Sequence, residues 1–180
     1  MAAAQAVVSG LFLLFAFLNA GETALALAAA TVAGAALGFL PWNFPLARVF
    51  MGDAGSVPLG CLLGGLCLAA FATGALPGTS ALLILAVFYT DAGLTLLGRF
   101  WRGERWYTAH RKHAYQRLIA QGWTHGQVLF MYVALNFAVV APAVITSVWR
   151  PELSVAVTVG AYGLLALLWG AVSLKLGEGP

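Results

Sequence analysis

A short polar segment interrupts the long apolar runs of this chain, and it is the first place to look for chemistry. It spans residues 48–56 and reads R-V-F-M-G-D-A-G-S. The carboxylate of Asp53 is a hard oxygen ligand that suits Mg²⁺ or Mn²⁺, and Gly52 lets the backbone approach a ligand closely. Ser56 precedes the next apolar run, where it can cap a helix N-terminus that favours an anion. A capped turn without a ligand is the alternative interpretation.

A second polar segment, residues 99–117, holds most of the remaining charge, with six cations and two of the three histidines. Arginine grips phosphate oxygens bidentately and lysine acts as a point charge, so the segment suits a diphosphate. His110 and His113 share a helix face at i, i+3, and we assign them to phosphate or sugar because a zinc site would need a third protein ligand. The alternative is a basic anchor on anionic lipid headgroups, with Trp101 and Trp106 at the interface.

Asp91 is an acid inside an apolar run, about two helical turns before Arg99 and thus about 10 Å deep at 1.5 Å per residue. A lone intramembrane acid is by default a functional hypothesis. A structural pairing with a polar group on a neighbouring helix is the alternative. A cation-coupled transporter that uses Asp91 is disfavoured because the chain has no inverted repeat.

The composition predicts the elements that must position these residues. The 180 residues are 62% hydrophobic and 8% charged, whereas soluble domains carry roughly 25% charged residues. We therefore predict an all-α, polytopic transmembrane helix bundle, because an open sheet edge cannot face lipid. The Gly60-x-x-x-Gly64 spacing is expected to allow close helix contact. About six spans are predicted: Ala6–Ala20, Thr23–Leu40, Val57–Leu76, Thr79–Gly98, Gln127–Val148 and Leu153–Leu174.

With six spans, eight of the nine basic residues lie on one face of the membrane, and only Arg150 lies on the other. The positive-inside rule makes the basic face cytoplasmic. Residues 1–180 then form a single membrane domain whose cytoplasmic loops, 41–56 and 99–126, carry both polar segments. Nucleic acid is not indicated as a partner, since the basic residues sit at a membrane surface.

The two segments together resemble a known family. Residues 43–56, N-F-P-L-A-R-V-F-M-G-D-A-G-S, look like a cytoplasmic loop of the polyprenyl-phosphate N-acetylhexosamine-1-phosphate transferases (membrane glycosyltransferase family 4), which include the phospho-N-acetylmuramoyl-pentapeptide transferases. Asp91, Arg99 and residues 109–118, A-H-R-K-H-A-Y-Q-R-L, look like the family's histidine-containing loop. The form resembles enzymes that initiate bacterial O-antigen, lipopolysaccharide and capsule synthesis more than the peptidoglycan branch.

The resemblance implies an activity at the bacterial inner membrane. A UDP-N-acetylamino sugar would give its sugar-1-phosphate to undecaprenyl phosphate with release of UMP, which initiates synthesis of a cell-envelope polysaccharide. It implies Asp53 as the ligand of Mg²⁺ (or Mn²⁺) and Asp53, His110 and His113 as the catalytic residues. Substrate and phosphate contacts are expected from Asn43, Arg48, Gly52, Ser56, Arg99, Arg102 and Arg111.

This sequence departs from the family pattern in one respect. Family members carry a paired-aspartate loop and an Asn…Asp-Gly-x-Asp-Gly loop on the same face, but no Asp-Asp pair occurs in these 180 residues. We therefore expect the chain to match the C-terminal half of an enzyme that needs an N-terminal half or a homo-oligomer. The alternative is a catalytically inactive, truncated homologue that binds lipid phosphate or a partner protein among the membrane lipids.

Overall fold

The computed structural model describes residues 1–101, 103 and 114–175, with side chains as far as Ser173. These residues form helices and no strand, which confirms the all-α prediction. The α-helices are α1 Ala2–Asn19, α2 Thr23–Asn43, α3 Gly52–Ala72, α4 Gly78–Leu83, α5 Ala86–Trp101, α6 Ala114–Ala120, α7 His125–Leu135, α8 Ala141–Trp149 and α9 Ser154–Lys175. A π-helical turn, Asn136–Val140, joins α7 to α8.

Five helical stretches in the described residues are long and apolar enough to cross a membrane: Ala2–Asn19, Thr23–Asn43, Gly52–Ala72, His125–Trp149 and Pro151–Ser173. They correspond to five of the six predicted spans. Over the remaining predicted span, 79–98, the helix is not continuous. That segment is two helices, α4 and α5, separated by a break at Ile84 and Leu85.

Hydroxyl groups from other helices bind the backbone at this break. Ser9 on α1 donates to the carbonyl oxygen of Ile84 at 3.0 Å, and Tyr162 on α9 donates to that of Leu82 at 2.8 Å. Backbone groups inside a membrane must be satisfied within the protein, so a broken helix is tolerated where neighbours supply partners. Composition alone could not reveal the break because it lies in a uniformly apolar run.

The bundle is built around α1, which packs most extensively against α2. The contact uses small side chains, since α2 buries Ala26, Ala29, Ala33 and Ala36 along one face. At Gly10 a Cβ atom would lie 2.9 Å from the Cβ of Ala33, so only glycine fits this approach. Small residues at an interface let helix backbones come close together.

The predicted close contact at Gly60-x-x-x-Gly64 is not found. A Cβ atom at Gly60 or Gly64 would meet nothing within 4 Å. Instead, Gly60 lines a cavity of about 140 Å³ between α3, α1 and α5. The Gly-x-x-x-Gly spacing permits another helix to approach closely but does not ensure that one lies there. The close helix contact is made instead by α1 and α2, at Gly10.

A reciprocal amide pair joins α1 to the π-helical turn. Gln5 Nε2 donates to Asn136 Oδ1 at 3.1 Å, and Asn136 Nδ2 donates to Gln5 Oε1 at 2.9 Å. Both residues are buried. Because buried polar groups require partners, this pair fixes the position of α1 relative to α7 and α8.

Candidate functional site

The first polar segment, residues 48–56, is helical from Gly52 onwards. The loop that contains it is therefore shorter than the predicted loop, 41–56. Helix α2 continues to Asn43 and α3 begins at Gly52, so residues 44–51 form the connection. Helix α2 ends where Phe44 adopts an extended conformation (φ −144°, ψ 143°). The residue before a proline disfavours helical geometry, and Pro45 follows.

Asn43 and Trp42 hold the α2–α3 connection in place. Asn43 Nδ2 donates to the carbonyl oxygen of Val49 at 2.9 Å. The carbonyl oxygen of Trp42 accepts from the backbone N–H groups of Arg48 at 2.9 Å and Val49 at 3.1 Å. The side-chain amide of Asn43, expected to bind substrate, is therefore seen shaping the loop that presents the exposed side chain of Arg48.

Asp53 lies in the first turn of α3 and is exposed. An acid is favourable there because the helix N-terminus carries partial positive charge. Gly52 has φ +58°, a left-handed conformation that side chains rarely adopt. Ser56 was expected at the N-cap but lies one turn inside α3, because the helix begins at Gly52.

The structure brings the α2–α3 connection and the start of α7 to one end of the bundle. Gly126, at the start of α7, lies beside the Phe44 ring, and a Cβ atom there would be 3.6 Å from Phe44 Cζ. Helix α7 begins with a capping box in which Thr124 and Gln127 satisfy each other's backbone N–H groups. We call this end, defined by residues 42–53 and 114–127, the basic end.

Asp91 accepts hydrogen bonds from three other helices. Its Oδ1 accepts from the backbone N–H of Ala114 at 2.8 Å and from Trp169 Nε1 at 3.1 Å. Its Oδ2 accepts from the Tyr132 hydroxyl at 3.0 Å. The side chain is 8% exposed. Asp91 therefore ties α5 to α6, α7 and α9.

An apolar cavity of about 300 Å³ lies beside Asp91, between α5, α6, α7 and α9. Its walls include Val87, Leu118, Leu135 and Leu165. Hydrogen bonds next to such a space are strengthened by its low polarity, and an unpaired polar group there would be costly. The cavity thus raises the importance of the three donors on Asp91.

Burial continues along α5 towards the second polar segment. Asp91, Thr95 and Arg99 follow one another at i, i+4, and Thr95 and Arg99 are 1% and 3% exposed. Arg99 was expected to contact phosphate, but its side chain lies inside the described structure rather than on its surface. On α6, burial and the Asp91 carboxylate raise the pKa of Tyr115, whose phenol stays neutral at neutral pH.

Several predicted site residues lie outside the described residues: Arg102, His110, Arg111 and His113. The sequence did not single out Tyr132 and Trp169 as partners of Asp91. Both have a polar tip on an apolar body, and such side chains usually find a hydrogen-bond partner when buried. The sequence signal that could have identified them as partners of Asp91 was their position inside long apolar spans.

The described residues contain no group of three His, Cys, Asp or Glu side chains that could hold a metal ion. Mg²⁺ is usually held by one or two carboxylates, with waters and substrate phosphates completing the octahedron. An exposed aspartate at a helix N-terminus fits that pattern as one protein ligand. Asp91 does not fit, since its oxygens already accept from three donors.

Comparison with known proteins supports the sequence resemblance. Residues 1–71 match the model of glycosyl transferase family 4. Over 147 residues the chain is 32% identical to decaprenyl-phosphate N-acetylglucosaminephosphotransferase of Mycobacterium leprae (strain TN), covering 72% of this chain and 36% of that protein. It is also 32% identical over 148 residues to the protein of that name from Mycobacterium tuberculosis (strain ATCC 25618 / H37Rv), covering 72% and 35%.

A shorter match with higher identity is to phospho-N-acetylmuramoyl-pentapeptide-transferase of Clostridioides difficile (strain 630). It is 56% identical over 54 residues, which are 30% of this chain and 17% of that protein. No solved structure matches. The chain spans little more than a third of the length of the two mycobacterial relatives. With five apolar spanning helices and these relatives, the chain is a multi-pass membrane protein homologous to the phosphosugar transferases of glycosyl transferase family 4.

Proposed function

We propose that this chain forms part of an enzyme that transfers an N-acetylamino-sugar-1-phosphate from a UDP-sugar to undecaprenyl phosphate. The observation that carries the proposal is the basic end. There the exposed Asp53 opens α3, and the backbone that follows the histidine-containing segment is held by Asp91. A carboxylate and a cationic segment at one membrane face are what a diphosphate donor requires.

In the proposed reaction, an oxygen of undecaprenyl phosphate attacks the phosphorus atom that carries the sugar. A new P–O bond forms there, and the bond from that phosphorus to the bridging oxygen breaks. UMP leaves with the bridging oxygen and its electron pair. The product is a lipid-linked sugar diphosphate, and no oxidant or reductant is needed.

Each polar group of the chain has a proposed part in this transfer. Asp53 binds Mg²⁺, which supplies charge neutralisation on the phosphate oxygens when bound. Arg48, Arg102 and Arg111 balance the remaining negative charge of the two substrates. His110 and His113 contact the diphosphate or sugar. We place the basic end at the cytoplasmic face of the bacterial inner membrane, following the positive-inside rule.

The test is UMP release from UDP-GlcNAc with undecaprenyl phosphate and Mg²⁺, measured on the purified chain in lipid nanodiscs. It is run with and without the N-terminal portion of a family 4 enzyme supplied as a second polypeptide. Release that disappears in the Asp53→Ala variant supports the proposal. If neither preparation releases UMP, the chain does not form part of a working transferase.

A second function is favoured by the commitment of Asp91 to hydrogen bonds, which leaves Asp53 as the one aspartate available to a metal. The chain would then be a catalytically inactive homologue that binds lipid phosphate. That function predicts undecaprenyl phosphate binding unaffected by Asp53→Ala. Binding that requires Mg²⁺ and is lost in this variant would contradict it.

A further inference from the structure

We propose that Asp91 is a positioning residue that fixes the far end of the histidine-containing segment, residues 102–113, to the core of the bundle. The inference deepens the proposed function and rests on it for the role of that segment. It concerns Ala114, whose backbone N–H donates to Asp91 Oδ1 at 2.8 Å. Ala114 directly follows His113 in the sequence.

Helix α5 controls both ends of the segment. The near end is covalent, because α5 ends at Trp101 and the segment begins at the next residue. The far end is attached through Asp91, which lies on the same helix and accepts the first backbone N–H after the segment. Trp101 and Ala114, which flank the segment, are thereby both held to one helix.

The other two donors explain why Asp91 can serve as a fixed point. Tyr132 belongs to α7 and Trp169 to α9, and each donates to a carboxyl oxygen of Asp91. Both helices lie in predicted membrane spans, so the acceptor for Ala114 is oriented by rigid elements. Functional groups hold their geometry best when a second set of contacts locks the residues behind them.

Burial separates this role from a catalytic one. Asp91 is 8% exposed and accepts from an amide, an indole and a phenol. A proton carrier or a metal ligand would need a free lone pair directed at a reactant. Asp91 instead acts on the site through Ala114.

The direct test is hydrogen–deuterium exchange of the full chain in lipid nanodiscs, followed in a peptide that begins several residues before Ala114 and includes it. Asp91→Ala removes the acceptor, and we expect exchange there to become at least about tenfold faster, while α5, α7 and α9 keep their protection. Asp91→Asn retains an amide oxygen for the Ala114 N–H and is expected to keep exchange within about threefold of wild type. Tyr132→Phe is the matched control, since it removes a donor to Asp91 but not the bond to Ala114.

Two outcomes of the exchange experiment would overturn the inference. One is unchanged exchange at Ala114 in Asp91→Ala. The other is faster exchange spread across α5, α7 and α9, which would mean that Asp91 only stabilises the fold. Rescue by Asp91→Asn distinguishes the positioning role from a general loss of stability.

Measuring the affinity for UDP-GlcNAc tests whether the hydrogen bond between Asp91 and Ala114 affects the proposed substrate site. Loss of a hydrogen bond to a charged group corresponds to about tenfold in affinity, which is expected for Asp91→Ala but not for Asp91→Asn. If Asp91→Ala loosens Ala114 and leaves UDP-GlcNAc affinity unchanged, the positioning role is refuted. If wild-type chain supplied with the N-terminal portion binds no UDP-GlcNAc, the proposed function fails, and the exchange data alone still decide whether Asp91 fixes Ala114.

Discussion

The two aspartates of this chain occupy opposite environments. Asp53 opens α3 at the basic end and is exposed, whereas Asp91 is buried within α5 and accepts from three other helices. The surface acid has its oxygens available to a metal ion or phosphate-bound cation. The buried acid has them committed to the protein. The contrast teaches that surroundings decide what an aspartate can do: the exposed one is the proposed metal ligand, and the buried one holds helices together.

The sharpest test of this comparison is Asp53→Ala. We expect UMP release by the assembled enzyme to fall about a thousandfold, because a lost metal ligand removes several kcal/mol of transition-state stabilisation. The unfolding temperature should fall only slightly, since Asp53 is exposed and loses only its favourable place at the helix N-terminus. Glu152→Gln is the control, as this exposed acid lies in the α8–α9 connection and pairs with the exposed Arg150 at 3.8 Å. A large loss of stability in Asp53→Ala would contradict the contrast.

A second prediction concerns packing far from either acid. Gly10→Val places new atoms against Ala33, and we expect a loss of about 2–3 kcal/mol in the free energy of unfolding. Gly34→Val on the partner helix is the control, because a Cβ atom there meets nothing within 4 Å. Unfolding in mixed detergent micelles measures both. Equal stability of the two variants would show that α1 and α2 are not in close contact.

A third prediction sharpens the picture of Asp91 as a structural acceptor. Trp169→Phe removes one donor and keeps the aromatic ring, and we expect a loss of about 1–2 kcal/mol in unfolding free energy. UMP release per folded molecule should change by less than about threefold, since the Ala114 bond remains. A variant that is fully stable but inactive would instead place Trp169 at the substrate.

A fourth prediction tests the break between α4 and α5. Ser9→Ala leaves the carbonyl oxygen of Ile84 without the hydroxyl donor of α1, and we expect a loss of about 1 kcal/mol. Unfolding in mixed micelles again provides the measurement. Unchanged stability would mean that Ile84 does not depend on this donor.

The smallest expected effect on stability is at the exposed connection. Asn43→Ala removes the bond to Val49, and we expect less than about 1 kcal/mol of destabilisation. The loop that carries Arg48 should become less well positioned, which raises KM for the UDP-sugar about threefold to tenfold. Kinetics at saturating lipid substrate measure this. An unchanged KM would assign Asn43 a purely local role.

Much of the fold and part of the site were predictable from the sequence. Apolar runs close to the length that a bilayer requires identified five spans within a few residues, because hydropathy and length are local properties. The motif that contains Asp53 indicated the family, which the comparisons confirm. The helix ends were less well predicted: α3 begins at Gly52, which moves Ser56 from a cap into the helix.

The sequence by itself determined that the chain is an all-α membrane protein. It also determined where polar segments interrupt the apolar runs and what family the chain resembles. These follow from composition, periodicity and short motifs, which need no knowledge of contacts. Only the tertiary structure decided that the helix over 79–98 breaks at Ile84, that Gly10 rather than Gly60 sits at a close contact, and that Asp91 accepts from Ala114, Tyr132 and Trp169. These contacts join residues between 23 and 80 positions apart in the chain. Such partners become neighbours only when the helices pack, and packing settles which polar groups are satisfied inside the protein.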